Sequence, residues 1–172
     1  HVLAKELKST KPPSVIAGGK IRVYDLVRSH GIEVPRQYGL WRKPDAIAWD
    51  ELPDTVVIKG AFATAARGVM PLRRQGDRWR LITSDTTMTS DEITAELMRR
   101  LEAREVTGPF GAEEFLAGDS DELPVDVRAY TFYGDVPLLL LRRPGPHGDL
   151  DAATFRPVDA HGGDLIGVDQ YP

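Results

Sequence analysis

Two turn signals constrain this chain more than anything else in it. Gln75-Gly76-Asp77 separates a β-type run at 68–74 from another at 78–83, and Gly134-Asp135 separates 127–133 from 136–141. A tight glycine turn between two such runs makes an antiparallel hairpin. Between the hairpins, Thr89 and Glu92 stand at the spacing of a capping box, which stabilises a helix start by about 1 kcal/mol. That helix is predicted to run to about residue 104, with Ile93, Leu97 and Leu101 on one face. Hairpins separated by one capped helix predict an α+β fold: two antiparallel sheets, the first carrying the helix, with a cleft between them.

Other segments fit around this frame. Thr55-Val56-Val57-Ile58, bounded by Pro53-Asp54 and Gly60, predicts a buried strand, and 112–116 a further one at a sheet edge. Unbroken leucine from 138 to 141 predicts a strand buried on both faces. Residues 20–30 fit a short helix with Ile21, Tyr24, Val27 and Arg28 on one side, closed by Gly31 in the left-handed conformation. Ile32, Val34 and Pro35 lead from it into an extended stretch. Residues 1–19 read as a linker or an arm from a missing partner domain, and everything from 144 onward as loop.

Composition bounds the function classes. At 172 residues and 41% hydrophobic the chain can bury a core, and a His rather than Met at position 1 fits a piece of a longer protein. A net charge of -4 argues against a general nucleic-acid binder. Without cysteine there is no disulfide framework, thiolate metal site or cysteine nucleophile, and a reducing, cytoplasmic setting is expected. No apolar run nears 20 residues, so no membrane span is expected, and no signal-peptide core stands at the N-terminus.

Three places carry candidate chemistry. Lys59 ends an apolar strand, where desolvation penalises an ammonium unless an anion or carboxylate compensates it, or unless the chain snorkels to water. The small-residue loop that follows, from Gly60 through Arg67 to Gly68, is built to close backbone amides over phosphate oxygens, or is a plain connection. Glu113-Glu114-Phe115-Leu116 should place one glutamate inward and one outward, and the segment is either an ordinary half-exposed strand or an edge strand that offers backbone groups to an adenine. Asp126-Val127-Arg128 begins the leucine-rich hairpin and Arg142-Arg143 ends it, so an aspartate and several arginines meet at one sheet edge. With the turn at Gly134-Asp135, Arg128 falls opposite Leu141 and Asp126 opposite Arg143, and all three charges share the face turned toward Lys59. An anion site and an ordinary surface pair both fit that cluster. His147, His161, Asp149, Asp151 and Asp164 match no metal-binding spacing and read as exposed loop residues.

Taken in order, Gly31-Ile32-Glu33-Val34-Pro35, the approach to Lys59, Arg67-Gly68-Val69, Glu113-Glu114-Phe115-Leu116 and Asp126-Val127-Arg128 resemble the ATP-grasp core over residues 20–165. The stretches around Leu52-Pro53-Asp54 and 124–133 are similar to the ATP-grasp proteins of cell-surface polymer synthesis, the teichuronopeptide type. Arg142-Arg143, Phe155-Arg156 and Gly162-Gly163 are similar to the ribosomal-protein glutamate ligases, although Val158 and Ala160 replace that branch's Asn and His. The resemblance implies an ATP-dependent carboxylate–amine ligase working through an acylphosphate, with 20–116 as lead-in helix and small subdomain and 117–172 as the start of the large one. ATP, a small carboxylate, and an amine or other nucleophile are the implied partners. It implies that Lys59, Arg67 and Gly68 hold the phosphates, and that Glu113, Glu114 and Leu116 hold the adenine. Asp126 then takes the ribose or phosphate edge, and Arg128, Arg143 and Arg156, with Arg142, face the γ-phosphate. It further implies Mg2+, whose family ligands, an acidic residue and then Glu-x-Asn, do not occur before Pro172 and are expected beyond it. Alanines stand in the loop after Lys59 where the family often has glycine. A non-catalytic nucleotide-binding module and a scaffold domain for an anionic polymer are the alternatives.

Overall fold

The computed structural model describes residues 20–60, 68–116, 123–145 and 152–163, with side chains described from Val23 onward. The chain divides into two compact units, His1–Leu81 with Thr87–Phe115, and Ile82–Thr86 with Leu116–Pro172. The fold is α+β with mostly antiparallel sheets.

The first unit begins with helix α1 (Lys20–Ser29) and strand β1 (Gln37–Trp41). Gly31, at φ 74°, donates to the Arg28 carbonyl while Ile32 donates to that of Val27, the paired bonds of a glycine-terminated helix. Two single-turn 3-10 helices (Pro44–Ala46 and Trp49–Glu51) lead into β2 (Thr55–Gly60). Strands β3 (Val69–Gln75) and β4 (Arg78–Leu81) form the first hairpin, with Gln75 paired to Arg78 and Gly76 at φ 64°. After β5 (Thr86–Met88) comes helix α2 (Ser90–Glu102), then β6 (Phe110–Glu113), and the sheet order is β1-β6-β2-β3-β4-β5.

The predicted capping box is present in full: Thr89 accepts from the Glu92 amide, and the Glu92 carboxylate accepts from the Thr89 amide at 2.7 Å. Ile93 and Leu97 are buried by α2, and Leu101 packs half-buried beside them. Alternation along the strands then sorts the sheet's two faces. Val56, Ile58, Met70, Leu72, Phe110 and Ala112 turn to one side and, with Trp79, Ile93 and Leu97, make the core. Val57 and Lys59 therefore turn to the other.

The second unit is a three-stranded antiparallel sheet in the order β7-β8-β9, from β7 (Asp126–Phe132), β8 (Asp135–Arg143) and β9 (Thr154–Val158). Three expectations are corrected here. The segment after 144 is not all loop, because β9 pairs with β8 from Leu139 opposite Val158 to Arg143 opposite Thr154. Its Pro157 is accommodated because β9 lies at the edge of the sheet. Residues 138–141 do form the central strand, but they are half-buried rather than buried on both faces.

The third correction concerns register. The β7–β8 turn is Tyr133-Gly134, both left-handed at φ 51° and 97°, with Phe132 opposite Asp135. A register shift between Tyr130 and Phe132 then moves the pairing by one residue. Asp126 consequently faces Arg142, and Arg128 faces Leu140. Among the described residues no helix is long and apolar enough to cross a membrane.

Candidate functional site

Lys59 is the last side chain of β2, on the face away from the core. Its cross-strand neighbours are Val69 on β3 and Gly111 on β6. Glu113 sits two residues beyond Gly111, opposite Val57, so alternation puts its carboxylate on the Lys59 face. With no side chain on Gly111, the two charged groups can meet across the strands. They form an ion pair in which both side chains are only 11% exposed.

A third group closes this pair into a ring. Tyr24, on α1, accepts a hydrogen bond from Lys59 Nζ at 2.9 Å and donates one to Glu113 Oε2 at 3.0 Å, while Lys59 also donates to Glu113 Oε1. The ammonium lies 4.9 Å from the Tyr24 ring centroid, within reach of a cation–π attraction. Burial pushes the Tyr24 hydroxyl above its ordinary pKa, so the phenol stays protonated at neutral pH and can donate to the carboxylate. Desolvating a lysine and a glutamate is costly, and three mutual hydrogen bonds offset part of that cost.

The remaining predicted residues of this unit are placed as follows. Glu113 is buried and Glu114 exposed, on opposite sides of the chain as alternation required. The expected edge strand at 112–116 is corrected: β6 spans 110–113 and is interior, paired to β1 on one side and β2 on the other. Its backbone is therefore occupied up to Glu113. Past that point, Glu114 exchanges bonds with Arg36, its amide donating to the Arg36 carbonyl and its carboxylate accepting from the Arg36 amide. Leu116 is 53% exposed. Arg67 lies outside the described residues. Gly68 is buried at φ 69°, and a Cβ there would collide with the Val106 side chain, so both conformation and space require glycine.

In the second unit, Asp126 gathers two arginines. Arg142 Nη2 lies 2.7 Å and Arg128 Nε 3.4 Å from Asp126 Oδ2. All three side chains share one face of the sheet, as the observed register dictates. Arg143, expected in this cluster, is corrected to the opposite face: it pairs with Thr154, two residues along from Leu141 and its partner Arg156. Arg143 and Arg156 thus share the face that Arg128 does not occupy. Asp126, Arg128 and Arg142 are 38%, 50% and 21% exposed, so water screens this cluster far more than the Lys59 ring.

His161 is an exposed loop residue whose amide, with that of Gly163, donates to Asp159 Oδ1 at 2.8 Å. Those backbone bonds hold the Asp159 carboxyl below its ordinary pKa. His147, Asp149, Asp151 and Asp164 lie outside the described residues. Among the described residues, no group of three or more His, Asp or Glu side chains is arranged to hold a metal ion. They therefore do not supply a donor set that fits Mg2+.

Tyr24 is the member of the ring that sequence reasoning did not assign to the site. Its helical spacing placed it on one side of α1 with Ile21, Val27 and Arg28, but only a contact 89 residues long in sequence gives it a role. No family model matches the chain, and no curated protein or solved structure matches it either.

Proposed function

We propose that this chain is the ATP-binding core of an ATP-dependent carboxylate–amine ligase of the ATP-grasp kind. The observation that carries the reading is Lys59: a nearly buried ammonium at a strand end, on the sheet face away from the core, followed in sequence by the small-residue segment 60–68, of which 61–67 lie outside the described residues. A lysine so placed attracts an anion strongly, because little water competes for it. In this reading Lys59 offsets charge on the α- and β-phosphates. The terminal phosphoryl group passes from ATP to a substrate carboxylate, giving an acylphosphate and ADP. An amine then attacks the acyl carbon, and inorganic phosphate leaves.

Within the second sheet the register groups Arg142, rather than Arg143, with Arg128 beside Asp126. No step is assigned to Mg2+, since the described residues do not fit it. A cytoplasmic location and a role in polymer or peptide synthesis belong to the same proposal.

The closed hydrogen-bond ring favours a second reading, in which Lys59 and Glu113 are a structural pair that takes no ligand. Calorimetric titration with ATP, ADP and AMP separates the two. A phosphate site at Lys59 predicts affinity that rises with the number of phosphates. Absence of binding by all three nucleotides rejects the nucleotide reading and leaves the structural pair.

A further inference from the structure

We propose that Tyr24 is a ligand-displaced gate on Lys59: in the free protein its phenol holds the position on the ammonium that a phosphate oxygen takes on binding. The inference rests on the nucleotide reading of Lys59 and adds to it a residue and a movement.

The ring engages two of the three N–H groups of the Lys59 ammonium. Both Glu113 oxygens accept a hydrogen bond, and the Tyr24 oxygen both donates and accepts. Lys59 is 8% exposed, so an incoming anion reaches its ammonium only when a neighbouring group moves aside. Of its two partners, Glu113 is charged and fixed on the adjacent strand β6, whereas Tyr24 is neutral and arrives from a separate helix. Glu113 adds a full ion pair to its hydrogen bond, whereas Tyr24 offers the ammonium only a neutral oxygen, so the phenol is the partner that gives way.

Its helix is less deeply packed than α2: from Val23 to Ser29 no side chain of α1 is fully buried, whereas Ile93 and Leu97 of α2 are wholly enclosed. Elements with few buried apolar groups open at low free-energy cost. Displacing Tyr24 also removes its ring from the ammonium and uncovers the Lys59 face for a larger ligand. A phosphate oxygen, carrying full negative charge, outcompetes a phenol for the vacated N–H.

Two measurements on the full chain test this with ATP as the probe. Tyr24→Phe keeps the ring but removes the hydroxyl, so binding no longer breaks its bond to Lys59, and ATP should bind about fivefold tighter by calorimetry. In wild type, saturating ATP should raise amide hydrogen exchange over residues 20–29. Weaker ATP binding by Tyr24→Phe would overturn the gate, since it would make the hydroxyl a ligand contact. Unchanged affinity together with unchanged exchange would overturn it too. In either case, loss of ATP binding in the paired variant Lys59→Met/Glu113→Gln would leave the nucleotide reading standing. Failure of both wild type and Tyr24→Phe to bind ATP would instead remove the nucleotide reading and the gate together.

Discussion

Two clusters in this molecule use the same chemistry at different depths. Around Glu113, one carboxylate meets one ammonium and a phenol, with both charged groups 11% exposed. Around Asp126, one carboxylate meets two guanidinium groups, and all three are between 21% and 50% exposed. Counting charges would rank the second cluster higher. Burial reverses the order, because removing one partner of a desolvated pair strands the other, whereas water replaces a lost surface partner at little cost.

The largest expected effect breaks the buried pair. Glu113→Gln leaves the Lys59 ammonium without a counter-charge and should cost about 3 kcal/mol of unfolding free energy in a urea titration. A cost below about 1 kcal/mol would show that Lys59 escapes to water, and the contrast between the clusters would collapse. Lys59→Met with Glu113→Gln removes both charges and should recover most of that loss, remaining within about 1 kcal/mol of wild type. If the double variant is as unstable as Glu113→Gln alone, the cost lies in packing rather than charge.

Alkali probes the third member of the ring. Folding raises the Tyr24 pKa, chiefly through burial, so its contribution is fully present below pH 10 and is lost as pH rises through the folded value. Wild-type stability should fall above pH 10 more steeply than that of Tyr24→Phe. Parallel curves would place the titration elsewhere. At the other end of the scale, three hydrogen bonds, two from Arg99 and one from Arg100, hold the Glu96 carboxyl down to about 2, so its support for α2 is lost as pH falls from about 4.5 through about 2. Glu96→Gln should flatten that acid limb.

The smallest effect belongs to the exposed cluster. Asp126→Asn should cost under about 1 kcal/mol, and 1 M salt should remove most of it. A larger, salt-resistant cost would mean that the second cluster is as dry as the first.

How much of this was legible depended on how local the signal was. The Thr89–Glu92 box, the Gly76 turn and the Gly31 helix end each involve residues within a few positions, and each formed as expected. Strand β1 escaped notice because Gly39 interrupts its β-type run; the position is glycine because a Cβ would collide with the Trp41 ring. Strand β9 was hidden by Pro157, which only an edge position tolerates. Lys59 and Glu113 were each visible, but their partnership spans 54 positions and depends on β6 lying beside β2. In the second unit, a single register shift between Tyr130 and Phe132, with the turn one residue early, exchanged Arg143 for Arg142 beside Asp126. Hydrophobic alternation cannot reveal that, since leucine occupies both faces of β8.

The central claim is that the Lys59 ammonium is an anion site of the folded chain and more than a structural charge. Its most direct test is calorimetric titration of ATP into wild type and Lys59→Met/Glu113→Gln, with unfolding curves showing that both are folded. The account predicts ATP binding by wild type and its loss in the paired variant, while stability changes by no more than about 1 kcal/mol. Equal ATP binding by the two proteins would contradict it.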